Sequence, residues 1–370
     1  MVKLKKLIIH PGFHKTGTTA LQQALSEVRD ELSANGFNYP KIAGNAHHRA
    51  AWSIIEKTWG WKKRGGRLMA PVEWQRLDRK LRSSKDAAII SSEFFSEASA
   101  EQLQVLKRNT QNFDVQVILT WRPLPFMLAS SYQQYLKYGL KLSYPEWLES
   151  IFETSGKAKF TPSFWKRNLH GNVVSKWAEV FGAENISLIA VNEADPNFLY
   201  NSFSDLAGVP NGIIREPLHQ EMNRSLTFNE SSLLLEINRT YPKDLDWDSY
   251  EIFIRKGNIK ALTGSPVYET SDEKIFTPDW AVAKAAELNS KSVDQIKSLG
   301  IKIVGDIDRN DFSRIPTGTN APVSTISIAT ASRAIIGVNM DSIKRMHGRA
   351  ITKEFFHRLK KITKARLRLN

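Results

Sequence analysis

The chain of 370 residues contains no cysteine. That excludes disulfides, cysteine nucleophiles and thiolate metal sites, and it fits a reducing compartment. No stretch approaches the roughly 18 consecutive apolar residues of a membrane-spanning helix. The opening MVKLKKLIIHPG carries basic residues but only a short apolar run, Leu7 to Ile9. Such a run is too brief for a signal peptide or an anchor. Internal repeats and low-complexity tracts are missing too. The adjacent His47 and His48 make a poor chelating pair. Neighbours point apart in a strand and stand about 100° apart on a helix, so no metal site is expected.

What is present describes a packed, basic globule. Hydrophobic residues make up 41% of the chain and tryptophan occurs 10 times, enough for one large α/β core with insertions or two smaller domains. The net charge of +14 is uneven: Asp341 to Asn370 holds ten Lys/Arg against Asp341 and Glu354, a net +8. Ile343, Met346, Ala350, Phe355, Leu359 and Ile362 recur there at roughly helical spacing. A basic amphipathic helix suits an anionic membrane or an acidic polymer, and equally a solvated face docked on the protein's own core. No RNA- or DNA-binding motif accompanies the charge, so nucleic acid is not an expected partner.

The richest segment is Leu7 to Leu25, LIIHPGFHKTGTTALQQAL. Leu7, Ile8 and Ile9 read as a buried strand, and Leu21, Ala24, Leu25 and Val28 recur at helical spacing. Between them lie Gly12 and Gly17, with Thr18 and Thr19 opening the helix. A strand feeding a helix N-terminus through such a turn gathers backbone N–H groups and the positive dipole end at one spot, which favours phosphates. The nucleotide-triphosphate P-loop would place lysine at position 18; here Thr18 stands there and the lysine is Lys15. A second segment, Val115 to Leu119, is β-rich and runs into Thr120, Trp121, Arg122 and Pro123. Pro123 ends the strand, so Arg122 stands at its C-terminal edge, and a helix is predicted from about Leu124 to Lys137. Ser130, about two turns into that helix, can fold back toward the same edge.

HKTGTT resembles the 5′-phosphosulfate loop of the sulfotransferases that use 3′-phosphoadenosine 5′-phosphosulfate (PAPS), and RPLPFMLASSYQQY resembles their 3′-phosphate segment. WAEVFGAENISLIAVNE (Trp177–Glu193) and NRSLTFNESSL (Asn223–Leu233) are also similar to stretches of that family, mainly its bacterial members. The tyrosine often found before the tryptophan helix is missing; the region reads SFWKRNLHGNVV. The resemblance covers about Leu4 to Thr240. It implies a P-loop-like three-layer α/β sandwich with a central parallel sheet, PAPS as cofactor and adenosine 3′,5′-bisphosphate (PAP) as product. His14, Lys15, Thr16, Gly17, Thr18 and Thr19 would then hold the 5′ end, and Arg122 and Ser130 the 3′-phosphate. The implied acceptor is a carbohydrate or polysaccharide, acidic polymers included. Golgi members carry a membrane anchor, so its absence favours a bacterial cytoplasmic protein, with peripheral contact at the inner membrane face through the basic tail left open.

Transfer of a sulfuryl group needs charge neutralisation on the leaving phosphate and a base for the acceptor proton. Lys15 suits the first role. Glu93, following the strand AAIISSE, should emerge at the same sheet edge and is the first choice for the base. His47 and His48 are the second choices, having the better unperturbed pKa. A structural Glu93, pairing with a cation or capping a helix, stays open, as do exposed loop histidines.

The expected organisation is one sulfotransferase domain over 1–330, its core about 4–240, with a helical and loop insertion over 43–80 near the active site, a mobile or variable region over 139–170, and a basic extension over 331–370. Two other function classes remain: a P-loop nucleotide kinase, and a non-catalytic binder of acidic polymers or membranes.

Overall fold

The computed structural model describes residues 4–42, 44–153, 158–218, 224–264 and 274–345, with positions 352, 355, 356 and 359. Six strands form one parallel sheet in the order β2-β5-β1-β6-β7-β8. These are β1 (Lys5–His10), β2 (Phe37–Asn38), β5 (Ala87–Ser91), β6 (Phe113–Trp121), β7 (Ile186–Ala190) and β8 (Lys302–Val304). A separate antiparallel ribbon pairs β3 (Thr58–Trp59) with β4 (Arg67–Leu68).

Each central strand is apolar on both faces, as a sheet covered by helices on both sides requires. Leu7, Ile9, Ala88, Ile90, Val117 and Leu119 join the core on one face, under helices His48–Ile54, Val72–Arg82, Ala100–Asn109 and His170–Phe181. The alternate residues Ile8, Ile89, Ile118 and Ile189 pack on the other face against helix α1 (Thr18–Glu27) and helix Pro196–Ala207. The expected three-layer α/β sandwich is therefore the fold. A third apolar cluster, holding Trp147, Trp247, Tyr250 and Leu136, joins the remaining helices.

Two differences from the sequence reading concern the C-terminal half. β8 and the helix Asp279–Ser298 complete the sheet and one of its layers, so the core does not end near residue 240. β8 has only three residues, one exposed and two half-buried, too short and too polar to signal a strand. The helix Ile328–Arg345 crosses the boundary expected at 330 and packs on Glu251–Ile259. Most of the basic tail lies outside the described residues, as do Gly156 and Asn223. Among the described residues no helix is long and apolar enough to cross a membrane.

Both of the stretches expected to depart from the core hold regular elements among their described residues. Residues 43–80 supply helix His48–Ile54, the β3–β4 ribbon and the start of helix Val72–Arg82; residues 139–170 supply helices Tyr144–Phe152 and Ser163–Asn168. The sheet reverses its winding between β1 and β6, neighbours whose outgoing connections run to opposite sides. In open α/β sheets that point leaves a crevice beyond the strand C-termini. The β1–α1 loop crosses it, and Phe13 N–H donates to the Thr120 carbonyl at 3.3 Å.

Gly12 enters this loop at φ +52, and a Cβ there would lie 2.3 Å from Thr18 Cγ2 and 3.1 Å from His10 Nε2. Gly12→Ala is therefore expected to cost about 1–3 kcal/mol of stability. Urea unfolding would measure it; an unchanged midpoint would contradict the tight seat of this loop.

Candidate active site

The loop between β1 and α1 forms the floor of a cavity of about 540 Å³. Gly17 takes φ +83 at the N-cap of α1, and among the described residues that helix has no side-chain cap. Its leading amides are thus unpaired in the way an anion can satisfy. Lys15 sits at φ +67, a left-handed conformation uncommon outside glycine. The same residue, with Gly17, Thr18 and Thr19, lines the cavity. Although exposed to it, Lys15 is ringed by protein; that desolvation lowers its pKa, and Glu93 works the other way.

A polar relay fastens the loop to the sheet edge. Thr16 Oγ1 donates to the Phe13 carbonyl at 2.7 Å and lies 2.6 Å from Thr120 Oγ1. Thr120 meets His10 Nε2 at 3.4 Å, and His10 Nδ1 meets Ser91 Oγ at 2.8 Å. Gln22 Nε2, on α1, then donates to both Ser91 Oγ and Glu93 Oε2 at 3.1 Å. The Thr16 hydroxyl is consumed in this relay and does not line the cavity, so only its backbone remains for a ligand.

Glu93 lines the cavity opposite the loop. Burial pushes its pKa up, but His48, His14 and the hydrogen bonds from its own backbone and Gln22 outweigh this and hold it low. It is ionised at neutral pH and can accept a proton. His48 also lines the cavity, with Nδ1 2.8 Å from Ser92 Oγ and 3.6 Å from Glu93 Oε2. His47, expected beside it as a second-choice base, is turned away. Its Nε2 donates to the Pro40 carbonyl at 2.8 Å and its Nδ1 accepts from Ser91 N–H at 3.0 Å, leaving neither nitrogen for proton transfer. This correction follows from adjacency: as helix His48–Ile54 starts, only one of the two rings can face the cavity.

His14 belongs to a cluster that the sequence did not reveal. Its Nε2 lies 3.4 Å from Glu97 Oε1, a carboxylate that also holds Arg167 at 2.9 Å and Lys57 at 2.6 Å. Burial opposes ionisation of Glu97, yet Arg167, His14 and Lys57 together depress its pKa far below the usual range. Arg167 and Arg255 line the cavity beside the rings of Trp52, Trp59 and Tyr138. Lys137 stands nearby, its pKa lowered to about 8 by burial and by Lys15, Arg255 and Arg224. No sequence motif marks these residues, because they come from four separated segments.

Arg122 and Ser130 do not line this cavity. The Arg122 guanidinium pairs with Glu193 and lies 5.1 Å from the Phe126 ring centroid. Arg309 shares both partners, at 3.3 Å from Glu193 and 4.7 Å from the same ring. Ser130 Oγ donates to the Met127 carbonyl at 3.1 Å, the local bond a helical serine makes when nothing else engages it. The helix here is shorter than predicted, Leu128–Leu136 after a 3₁₀ turn over Leu124–Met127.

No family model matches the chain, and no curated protein matches it in sequence. Among solved structures it is similar to a sulfotransferase from Alicyclobacillus acidocaldarius, at 16% identity and a TM-score of 0.41. The alignment covers 72% of this chain and 98% of that one. Similarity at this level concerns the course of the chain and not the site.

Burial holds His10, His14 and His47 neutral, with pKa values lowered to about 4, and His170 to about 3. Unfolding returns each toward about 6.5, so between pH 4 and that value the unfolded chain binds more protons and stability rises with pH. Thermal melts are expected to show a clearly lower midpoint at pH 5 than at pH 7. A flat profile would show these rings to be solvated.

Proposed function

We propose that this protein is a PAPS-dependent sulfotransferase acting on a hydroxyl or amine of a carbohydrate acceptor. The observation that carries the reading is Lys15, held in a left-handed turn below uncapped helix amides and facing an ionised Glu93 across one cavity. The bound nucleotide supplies a sulfuryl group on a 5′-phosphate, which passes to the acceptor in a single displacement with PAP as the leaving product.

The residues fit the 5′ end of the nucleotide as they stand. Lys15, desolvated by its surroundings, opposes the negative charge that gathers on the bridging phosphate oxygen as its bond to sulfur breaks. Amides of Gly17 to Thr19 share that task through the helix dipole. On the opposite side, Glu93 takes the proton that the acceptor oxygen or nitrogen loses as its bond to sulfur forms. Gln22 keeps the carboxylate in place, and the relay through Ser91, His10 and Thr120 links its position to that of the loop.

The 3′ end requires one exchange. Glu193 occupies the guanidinium of Arg122, so a 3′-phosphate binding there displaces this carboxylate, with Arg309 also within reach of the incoming anion. Arg can grip a phosphate through two parallel N–H bonds, which a phosphate of higher charge than a carboxylate strengthens.

Lys15→Ala is expected to lower kcat roughly 10²–10³-fold, and Glu93→Gln roughly 10²–10⁴-fold with PAP affinity retained. Steady-state transfer of labelled sulfate from PAPS, with calorimetry on PAP, would check both; activity surviving in Glu93→Gln would move the base to His48. Arg122→Ala is expected to weaken PAP about tenfold or more, while Glu193→Gln tightens it. Unchanged PAP affinity in Arg122→Ala would remove the 3′ assignment, and preferential binding of ATP with magnesium would favour a kinase.

A further inference from the structure

Arg255, like Lys15, lines the cavity with no ion-pair or hydrogen-bond partner among the described residues, but unlike Lys15 it lies away from the β1–α1 loop. Arg167 is held by Glu97, and Lys256, the next residue along, is held by Glu251 at 3.0 Å. The Arg255 guanidinium instead rests on aromatic faces, 4.8 Å from the Trp59 ring centroid, 4.5 Å from Tyr138 and 5.4 Å from Trp247. Those rings brace one another: Trp59 meets Tyr138 and Trp247 edge-on at 5.7 Å, and Tyr138 and Trp247 are parallel at 5.8 Å. Cation–π contact with Trp and Tyr orients a guanidinium without using its N–H donors. The donors are therefore left for a ligand, in a cavity whose cations outnumber its carboxylates.

The backbone around Arg255 is unusual as well. Glu251–Ile259 is a π-helix of 9 residues, a rare form that recurs at functional sites. The wall beside it is apolar and braced: Trp52 stacks on Trp59 at 4.7 Å, and His48 on Trp52 at 5.9 Å, so with Arg255 over Trp59 the column turns ring edges to the cavity. A sugar ring presents C–H groups that can rest against such apolar edges, and an acid on that sugar would meet the guanidinium at its end. A neutral sugar would leave the guanidinium unmatched, and a linear anion would leave the rings bare.

We propose that Arg255 on its three-ring seat is the recognition point for the carboxylate of a uronic-acid residue in the acceptor glycan, with the sugar against the edges of Trp59 and Trp52. The inference deepens the sulfotransferase reading by naming its acceptor class, and rests on it only for the word acceptor.

The test is calorimetric binding, with and without PAP, of a tetrasaccharide alternating glucuronic acid and N-acetylgalactosamine. It is compared with the same tetrasaccharide after reduction of its carboxyl groups to alcohols. The wild-type protein is expected to bind the charged glycan roughly tenfold or more tighter than the reduced one, as a charge-assisted bidentate contact warrants. Arg255→Met, which keeps the stem on the rings, is expected to bring that ratio to about one, with Arg255→Lys between and PAP affinity unchanged in both. Equal binding of the two glycans by the wild type, or binding of neither, would overturn the proposal whatever the variants do. A ratio that survives in Arg255→Met, or a parallel loss of PAP affinity placing the guanidinium on the nucleotide, would overturn it too. Carboxylate discrimination without PAP binding would leave this inference standing and remove the sulfotransferase reading.

Discussion

The site depends on the hydroxyl pair Thr16–Thr120. One threonine belongs to the β1–α1 loop and the other to the end of β6, and their oxygens approach to 2.6 Å in a buried setting. Through it the loop is fastened to the sheet edge at the point where the winding reverses. Left-handed turns at Lys15 and Gly17 are unfavourable or entropically costly in a free chain, and they persist because both ends of the loop are held. The relay onward through His10, Ser91 and Gln22 reaches Glu93, so opposite sides of the cavity share one frame. Buried networks of this type are stable when every member is satisfied, and each side chain along this one has a polar partner.

Around the frame, charge is arranged in two tiers. Glu97 gathers Arg167, Lys57 and His14, which keeps three cationic or protonatable groups close without leaving them unmatched. Lys15, Lys137 and Arg255 are not neutralised in this way. The depressed pKa of Lys137 reflects that crowding of positive charge as well as burial. A low-dielectric concavity with excess positive charge concentrates anions, and this explains why a strongly basic chain directs part of its charge inward and not only to its surface.

The Arg122 group, proposed for the 3′-phosphate, is arranged differently. Arg122 is matched by Glu193, and Arg309 and Phe126 complete the group. A carboxylate in this place keeps two guanidinium groups from repelling each other. It also means that the proposed binding of a phosphate there would be an exchange of one anion for another, with a smaller net gain than an open cradle would give.

Much of the framework was legible from residues alone. Alternating burial of Leu7, Ile8 and Ile9, the strand Ala87–Ser91 and the Arg122 edge are local patterns, and local periodicity survives folding. The strand–glycine–lysine–threonine order around Lys15 determined the turn and the helix start that follows it, because both are encoded within a dozen residues. Glu93 could be placed at the same edge because parallel strands end together. Tertiary structure alone decided which of His47 and His48 faces the cavity, that Thr16 turns inward, and that Arg122 is already paired. It alone assembled Arg167, Trp59 and Arg255, drawn from an insertion, a ribbon and a π-helix far apart in the chain. Contacts between such distant segments depend on packing geometry, and no spacing along the sequence records that.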